Sequence, residues 1–554
     1  MEELIFRGKA IRSPEDIRSL PVSDLPELCR LIREYVSRIP TDKQAHLESS
    51  VCVTELSVAL HYVLNTPLDK LIWDVGHQTA VHKVLTGRGP SMFQSLRKLN
   101  GISGFPSPAE SPFDLFTTGH SSTSISLAIG LWLAGEKNKI AAVIGDGALT
   151  GGQAFEAINL AGDMNASILL ILNDNGLSID ENVGALSKTN RYDSFFTSLN
   201  FKYLGEIDGN DIQVLIPALR DAVSGTGPRV LRICTRLSRF HTLSHTRTSY
   251  TPIRSAVNKC IRQCLNQDKD FYVLSPAMLS GIGLSALKAD FQDRIIDTGI
   301  TEQACVSIAA GLAKSGKKVL VHIYSTFLQR AVDQIIHDVA LQRLPVFFLV
   351  DRAGLVGEDG PTHHGVFDFT VLSTLPDIEI HFPYSIDAIQ NTILHWYADP
   401  RLMALRIPRD SNAFQADRPL PAEIWREART TMVAVGMMAH QAYQAFTMLT
   451  QDGYDLNFAT CTVYPFSLQD ALVEKLLTQK TVFFVEEAYA PGSVSEKLIF
   501  NLMTYPNSKI LSECQCIHLP HEFIPHGSPS DLLHLTALRA EDIYNNLKTK
   551  LNSI

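Results

Sequence analysis

Short apolar runs alternate with longer stretches of helical period in three successive segments of the chain. In the first, residues 140–144 and 167–172 read as buried strands around a helix over 153–162. In the second, 318–324 and 345–350 read as strands, with a helix over 327–342 between them. The third holds strands over 431–435, 457–462 and 481–485, joined by helices. Strands of this buried kind, separated by helices, predict α/β domains built on largely parallel sheets. Two polar stretches, 236–252 and 409–421, are the expected joints, and they divide the chain into domains over 1–245, 246–415 and 416–554.

A length of 554 residues suits about three or four domains, and 45% hydrophobic with 19% charged residues is an ordinary globular balance. Collagen-like, low-complexity and disordered classes are excluded by it. A formal charge of -9 speaks against nucleic acid as a partner, though a few local arginines still suffice for an anionic substrate. The most apolar stretch, 125–134, is too short to span a bilayer, so no membrane partner is expected. Met1-Glu2-Glu3 opens the chain without a basic region ahead of an apolar run, and nine cysteines include no CxxC pair. A cytoplasmic protein with reduced thiols is the expectation.

The chemistry begins at Gly145-Asp146-Gly147-Ala148, directly after one strand, and at Asn173-Asp174-Asn175, ending the next. Glycines let backbone N–H groups approach a phosphate, and a following helix N-terminus favours negative charge. Asp146 and Asn175 offer hard oxygen ligands of the kind Mg²⁺ takes alongside phosphate oxygens. Alone, the first motif is usually only a turn; with the second at the neighbouring strand end, a diphosphate with its metal fits both.

Other runs make the pattern specific. They are Trp73-Asp74-Val75-Gly76-His77-Gln78, Gly119-His120-Ser121-Ser122-Thr123-Ser124 and Tyr324-Ser325-Thr326-Phe327-Leu328-Gln329-Arg330. Asp351-Arg352-Ala353-Gly354-Leu355-Val356-Gly357 follows, then Asp359-Gly360-Pro361-Thr362-His363. Together with the two motifs above they resemble the 1-deoxy-D-xylulose-5-phosphate synthase family, transketolase-like enzymes dependent on thiamine diphosphate. The likeness runs from about Ile11 to Leu547.

That resemblance implies a three-domain transketolase-like architecture: a diphosphate domain, a pyrimidine domain and a transketolase C-terminal domain. It implies a homodimer with thiamine diphosphate and Mg²⁺ held between the first two domains. The implied reaction joins pyruvate to D-glyceraldehyde 3-phosphate with loss of CO₂, feeding isoprenoid, thiamine and pyridoxal synthesis. By the same resemblance Asp146, Asn175 and Leu177 hold the metal, and His77, Gly119, His120, Ser121, Gly147, Ala148, Asn175, Glu302 and Phe327 contact the cofactor. Glu302 meets the aminopyrimidine and controls its tautomer, while His46, His363 and Asp359 act near the reacting carbon. Arg352 and Arg409 clamp the acceptor's phosphate, since two guanidiniums supply position as well as affinity; Tyr324 and Phe327 fit an apolar wall for the pyrimidine, and Tyr324, a substrate-binding candidate, also offers a hydroxyl. Read singly, Glu302 also suits a helix N-terminus, and each histidine suits a structural hydrogen bond.

The chain departs from the family pattern in several places. After 178–186 it shortens by several tens of residues before Gly205. Arg236-Leu237-Ser238-Arg239-Phe240-His241 stands where a lysine- and glycine-rich run with a cofactor-contacting tyrosine is expected. Ser50 and Cys52 replace glycines beside His46, Ala304 replaces a histidine, and Asp410 a glycine. These departures leave a catalytically impaired paralogue as one alternative, and the Gly357–His363 stretch, shared with transketolases that move two-carbon ketol units, leaves a transketolase as the other.

Overall fold

In the computed structural model the described residues are 4–39, 47–176, 182–188, 191–236, 251–409, 420–466, 470–504 and 513–553. They form two compact units, Met1–Thr248 with Thr298–Thr301, and Ser249–Asp297 with Glu302–Ile554.

The first unit is built on strands β1 (Lys70–Trp73), β2 (Ile140–Gly145), β3 (Leu169–Asp174), β4 (Lys202–Asp208) and β5 (Arg229–Cys234). They lie in the order β1-β2-β3-β5-β4, every pair parallel. Side chains alternate across the sheet, as a pleated strand requires. Ala141, Val143, Leu169 and Ile171 pack on one face, and Ala142, Ile144, Leu170 and Leu172 on the other. Helices cover both faces, among them Thr54–Val63 and Ile212–Ser224 on the first and Ser124–Leu133 and Gly152–Asp163 on the second. Burial on both sides explains why these strands are continuously apolar in sequence.

The second unit holds two sheets. The larger consists of β6 (Phe271–Ser275), β7 (Ile295–Asp297), β8 (Lys318–Tyr324), β9 (Val346–Ala353), β10 (Glu379–His381) and β11 (Met403–Pro408). Its other sheet contains β12 (Glu423–Ile424), β13 (Thr430–Val435), β14 (Asn457–Cys461), β16 (Thr481–Tyr489) and β17 (Glu513–Leu519), while β15 (Val463–Tyr464) pairs antiparallel onto β10. Strand orders are β15-β10-β11-β9-β8-β6-β7 and β12-β14-β13-β16-β17, parallel except at β15 and β12. One hydrophobic cluster takes in Val321, Ile323, Phe348 and Val350 together with Val433 and Phe484, so the two sheets share a core.

Two expectations change in detail. The helix expected over 327–342 winds as short α, 3₁₀ and π turns between Ser325 and Ala340. The changes of winding keep Leu328, Ala331, Ile335 and Val339 all buried. The strand expected to end at Val350 runs on to Ala353 through a register shift, carrying Arg352 at φ +60°. No helix among the described residues is long and apolar enough to cross a membrane.

Candidate active site

In open parallel sheets, ligands bind beyond the carboxyl ends of the strands. In the first unit those ends carry the two motifs. Asp146 begins the short helix Asp146–Leu149 at the end of β2, and its side chain is buried. Its Oδ2 accepts the Gly176 N–H at 3.0 Å and Asn182 Nδ2 at 2.6 Å. Burial, and then the charge of Asp174, push this carboxyl up to about 7. Asp174 itself is engaged by Arg232, with Nε at 2.8 Å and Nη2 at 2.6 Å from Oδ2. Arg232 also lies 4.6 Å from the centre of the Tyr192 ring. Asn175 stands half-buried just past β3.

This donor set suits a hard divalent cation. A buried acid beside a second acid carries negative charge that a cation would neutralise, and the Asn182 Oδ1 acceptor has no hydrogen-bond partner among the described residues. Among the described residues no cluster of three or more His, Cys, Asp or Glu could hold a metal alone. Mg²⁺ is normally held by one or two carboxylates together with phosphate oxygens and water.

Three turns of the first unit are tied together around these residues. Asp74 is buried at the end of β1, where Oδ1 accepts the Ser122 N–H at 2.7 Å and Oδ2 the Ser124 N–H at 3.0 Å. Ser122 in turn donates to the Ala148 carbonyl at 2.7 Å. The turn bearing His77, the turn bearing Gly119, His120 and Ser121, and the Gly147-Ala148 turn are thus one connected structure. Gly76 (φ +88°) permits it, since a Cβ there would run into Thr118 Oγ1 and Pro106 Cδ. Ser50, one of the departures from the family pattern, adds a brace: its hydroxyl donates to the His77 carbonyl at 3.3 Å and accepts the Ala80 N–H at 3.2 Å.

The second unit assembles the remaining candidates. Glu302 opens the helix Glu302–Lys314 and is only 5% exposed. Burial raises its carboxyl above the ordinary value, opposed by Arg330, whose Nε lies 3.3 Å from Oε2. Tyr324, ending β8, stacks on Phe327 with ring centres 5.8 Å apart, and Phe327 meets the His363 ring edge-on at 5.8 Å. Tyr324 is buried, at the foot of the Arg352 guanidinium. Arg352 lays its guanidinium 4.1 Å from the centre of the Tyr324 ring. Asp359 faces both arginines, its Oδ2 3.8 Å from Arg352 Nη1 and 3.6 Å from Arg409 Nη1. Arg409 also donates to the Val356 carbonyl at 2.5 Å and to Glu358 at 3.1 Å. His363 Nδ1 and Thr362 Oγ1 are 2.8 Å apart.

Within each unit the sequence-derived candidates therefore gather at strand ends. His46, Leu177, Asp410 and residues 237–250 lie outside the described residues. Ala304 is exposed. Asp74, Asn182 and Arg330 were not singled out from the sequence. The role of each comes from a contact with a partner distant in sequence.

Three family profiles account for nearly the whole chain. The profile described as 1-deoxy-D-xylulose-5-phosphate synthase matches residues 9–192 and 189–235. The transketolase pyrimidine binding domain matches 250–413 and the transketolase C-terminal domain 422–543. The 1-deoxy-D-xylulose-5-phosphate synthase of Carboxydothermus hydrogenoformans is 36% identical, over 98% of this chain and 99% of its own. That of Methylobacillus flagellatus is 37% identical, over 98% and 99%. A crystal structure of transketolase from Campylobacter jejuni aligns over 96% of this chain and 100% of its own, with 16% identity and a TM-score of 0.46.

Proposed function

Because the chain belongs to the 1-deoxy-D-xylulose-5-phosphate synthase family, it is a thiamine-diphosphate-dependent transferase joining pyruvate to D-glyceraldehyde 3-phosphate with loss of CO₂, and we propose the roles its own residues take. Asp146, Asn175 and the Leu177 carbonyl would hold Mg²⁺, and Gly119, Ser121, Gly147 and Ala148, with His77 and His120, would hold the diphosphate of the cofactor. The observation carrying this assignment is the buried Asp146 carboxyl at the end of β2, beside Asp174 and Asn175 at the end of the neighbouring β3. When bound, the cofactor supplies a thiazolium that takes up the electron pair released with CO₂.

The remaining steps fall to side chains. Glu302, whose burial favours a retained proton, holds and exchanges that proton at its carboxyl. Phe327 walls the pyrimidine side, and Tyr324 adds its ring and a buried hydroxyl. His363 and His46 carry protons near the reacting carbon. Arg352 and Arg409 grip the acceptor phosphate, with Asp359 beside both and Glu358 beside Arg409 until it arrives.

Arg409→Ala is expected to raise KM for the phosphorylated aldehyde about 10–100-fold, the usual range for a lost charge-assisted contact. KM for pyruvate should hardly move; steady-state kinetics with each substrate varied reads the difference, and equal effects on both would remove the clamp.

The same proposal includes domains over 1–245, 246–415 and 416–554, action in the cytoplasm, and supply of isoprenoid, thiamine and pyridoxal precursors. It also includes a homodimer. Leu133, Leu160 and Met164, exposed at 63%, 47% and 41% at the two helices over β2 and β3, leave apolar surface that such pairing would cover. Light scattering on the 61.3 kDa chain should return twice that mass.

One assay tests the reaction: product formation from pyruvate and D-glyceraldehyde 3-phosphate, with and without thiamine diphosphate and Mg²⁺. Xylulose 5-phosphate serving as the better donor would point to transketolase. Thermal stabilisation by the cofactor with no turnover would point to an impaired paralogue.

A further inference from the structure

Asp359 and His363 lie in the loop that leaves β9 just after Arg352 and closes on itself where Gly354 and Gly365 exchange two backbone hydrogen bonds of 2.8 Å. Every residue between these glycines depends on that closure for its position. Both sides of it are held by side chains from elsewhere in the second unit.

On one side stands Glu487, from β16 of the C-terminal sheet. Its Oε1 accepts the Leu355 N–H at 3.2 Å, across 132 residues of sequence. Gly354 has φ +82°, and a Cβ there would run into Glu487 Oε2, so carboxyl and backbone are already in contact. On the other side, Arg406 reaches the Gly365 carbonyl at 3.4 Å. Arg406 is itself fixed by Asp368, with Nε–Oδ2 2.7 Å and Nη2–Oδ1 2.9 Å.

We propose that Glu487 is a positioning residue for acceptor binding: it sets the loop through Leu355 and Gly354, so that Arg352 and Asp359 stand where the acceptor's phosphate is received. The inference rests on the clamp role given above to Arg352 and Arg409. Withdrawal from water raises the Glu487 carboxyl to about 7, against the Leu355 N–H and Arg406. A glutamine keeps both the acceptor for Leu355 and the shape beside Gly354. An alanine leaves the N–H without its partner and opens space against the glycine.

The test is steady-state kinetics on the full-length enzyme with cofactor and Mg²⁺. Glu487→Ala should raise KM for D-glyceraldehyde 3-phosphate about tenfold, in line with a lost buried hydrogen bond, and change KM for pyruvate less than about twofold. Glu487→Gln should restore the aldehyde KM to within about twofold of the parent, a rescue that a purely charged role would not give. Glu487→Gln as impaired as Glu487→Ala, or Glu487→Ala raising both KM values alike, overturns the proposal. Should Glu487→Ala fail to fold, Gly354→Ala, which drives a methyl onto the same carboxyl, should show the same split, and an unchanged aldehyde KM there is equally fatal. Arg409→Ala run alongside separates the two levels. A rise in Arg409→Ala without one in Glu487→Ala removes the positioning role alone. No rise in Arg409→Ala removes the clamp from which it is drawn.

Discussion

Glu302→Ala is expected to lower kcat by about 10²–10⁴-fold, the range associated with a positioned acid or base. The chain should still fold, because the side chain lies at a helix start and its ion pair is with Arg330 alone among the salt bridges described. The structure places the carboxyl where water is nearly absent, at 5% exposure, and its proton is held to higher pH than in an unfolded chain. The folded state therefore binds more protons between the two values, and stability falls as pH rises through that interval. Glu302→Gln should flatten the fall in Tm above the ordinary carboxylate range, measured by calorimetry without cofactor. An unchanged slope, or turnover near that of the parent in Glu302→Ala, would take the proton-holding role away from this residue.

The second large effect belongs to Asp146. Asp146→Asn should remove the rise in Tm produced by thiamine diphosphate with Mg²⁺ and reduce turnover to background. In the absence of both ligands the same variant should melt higher, by about 5 °C at pH 8. The two outcomes have one cause. The acid is buried beside Asp174 and is raised to about 7, so above that pH it stands as an uncompensated charge that an amide does not carry. The amide can still receive hydrogen bonds from Gly176 and Asn182 at its oxygen. Differential scanning fluorimetry across cofactor and metal concentrations reads both. Undiminished stabilisation by the ligands in Asp146→Asn would place the metal elsewhere.

Much of this site is visible in the sequence wherever a residue's role follows from its place on a strand or turn. Asp146 and Asn175 are found because strand, turn and helix are local, and two neighbouring strand ends repeat the logic. Arg352 and Asp359 are found because their runs are distinctive. The residues that fix them are hidden because their partners are far along the chain. Asp74 acts on backbone N–H groups 48 and 50 residues away, Asn182 on a carboxylate 36 residues away, and Glu487 on a backbone 132 residues away. No periodicity reports such contacts, since they arise only when sheets and turns are packed. The strand end at Arg352 is hidden for a related reason: a bulge extends pairing beyond the apolar run that marks the strand.

The pairing of Asp359 with both Arg352 and Arg409 has a bearing on which acceptors succeed. In the proposed clamp an incoming group competes with a tethered anion already in place, so entry has a threshold that depends on charge. A dianionic ester can displace the Asp359 and Glu358 carboxylates from the two guanidiniums; an uncharged aldehyde has nothing to exchange for them. Selection against unphosphorylated sugars then comes from inside the loop, before any reacting atom is reached.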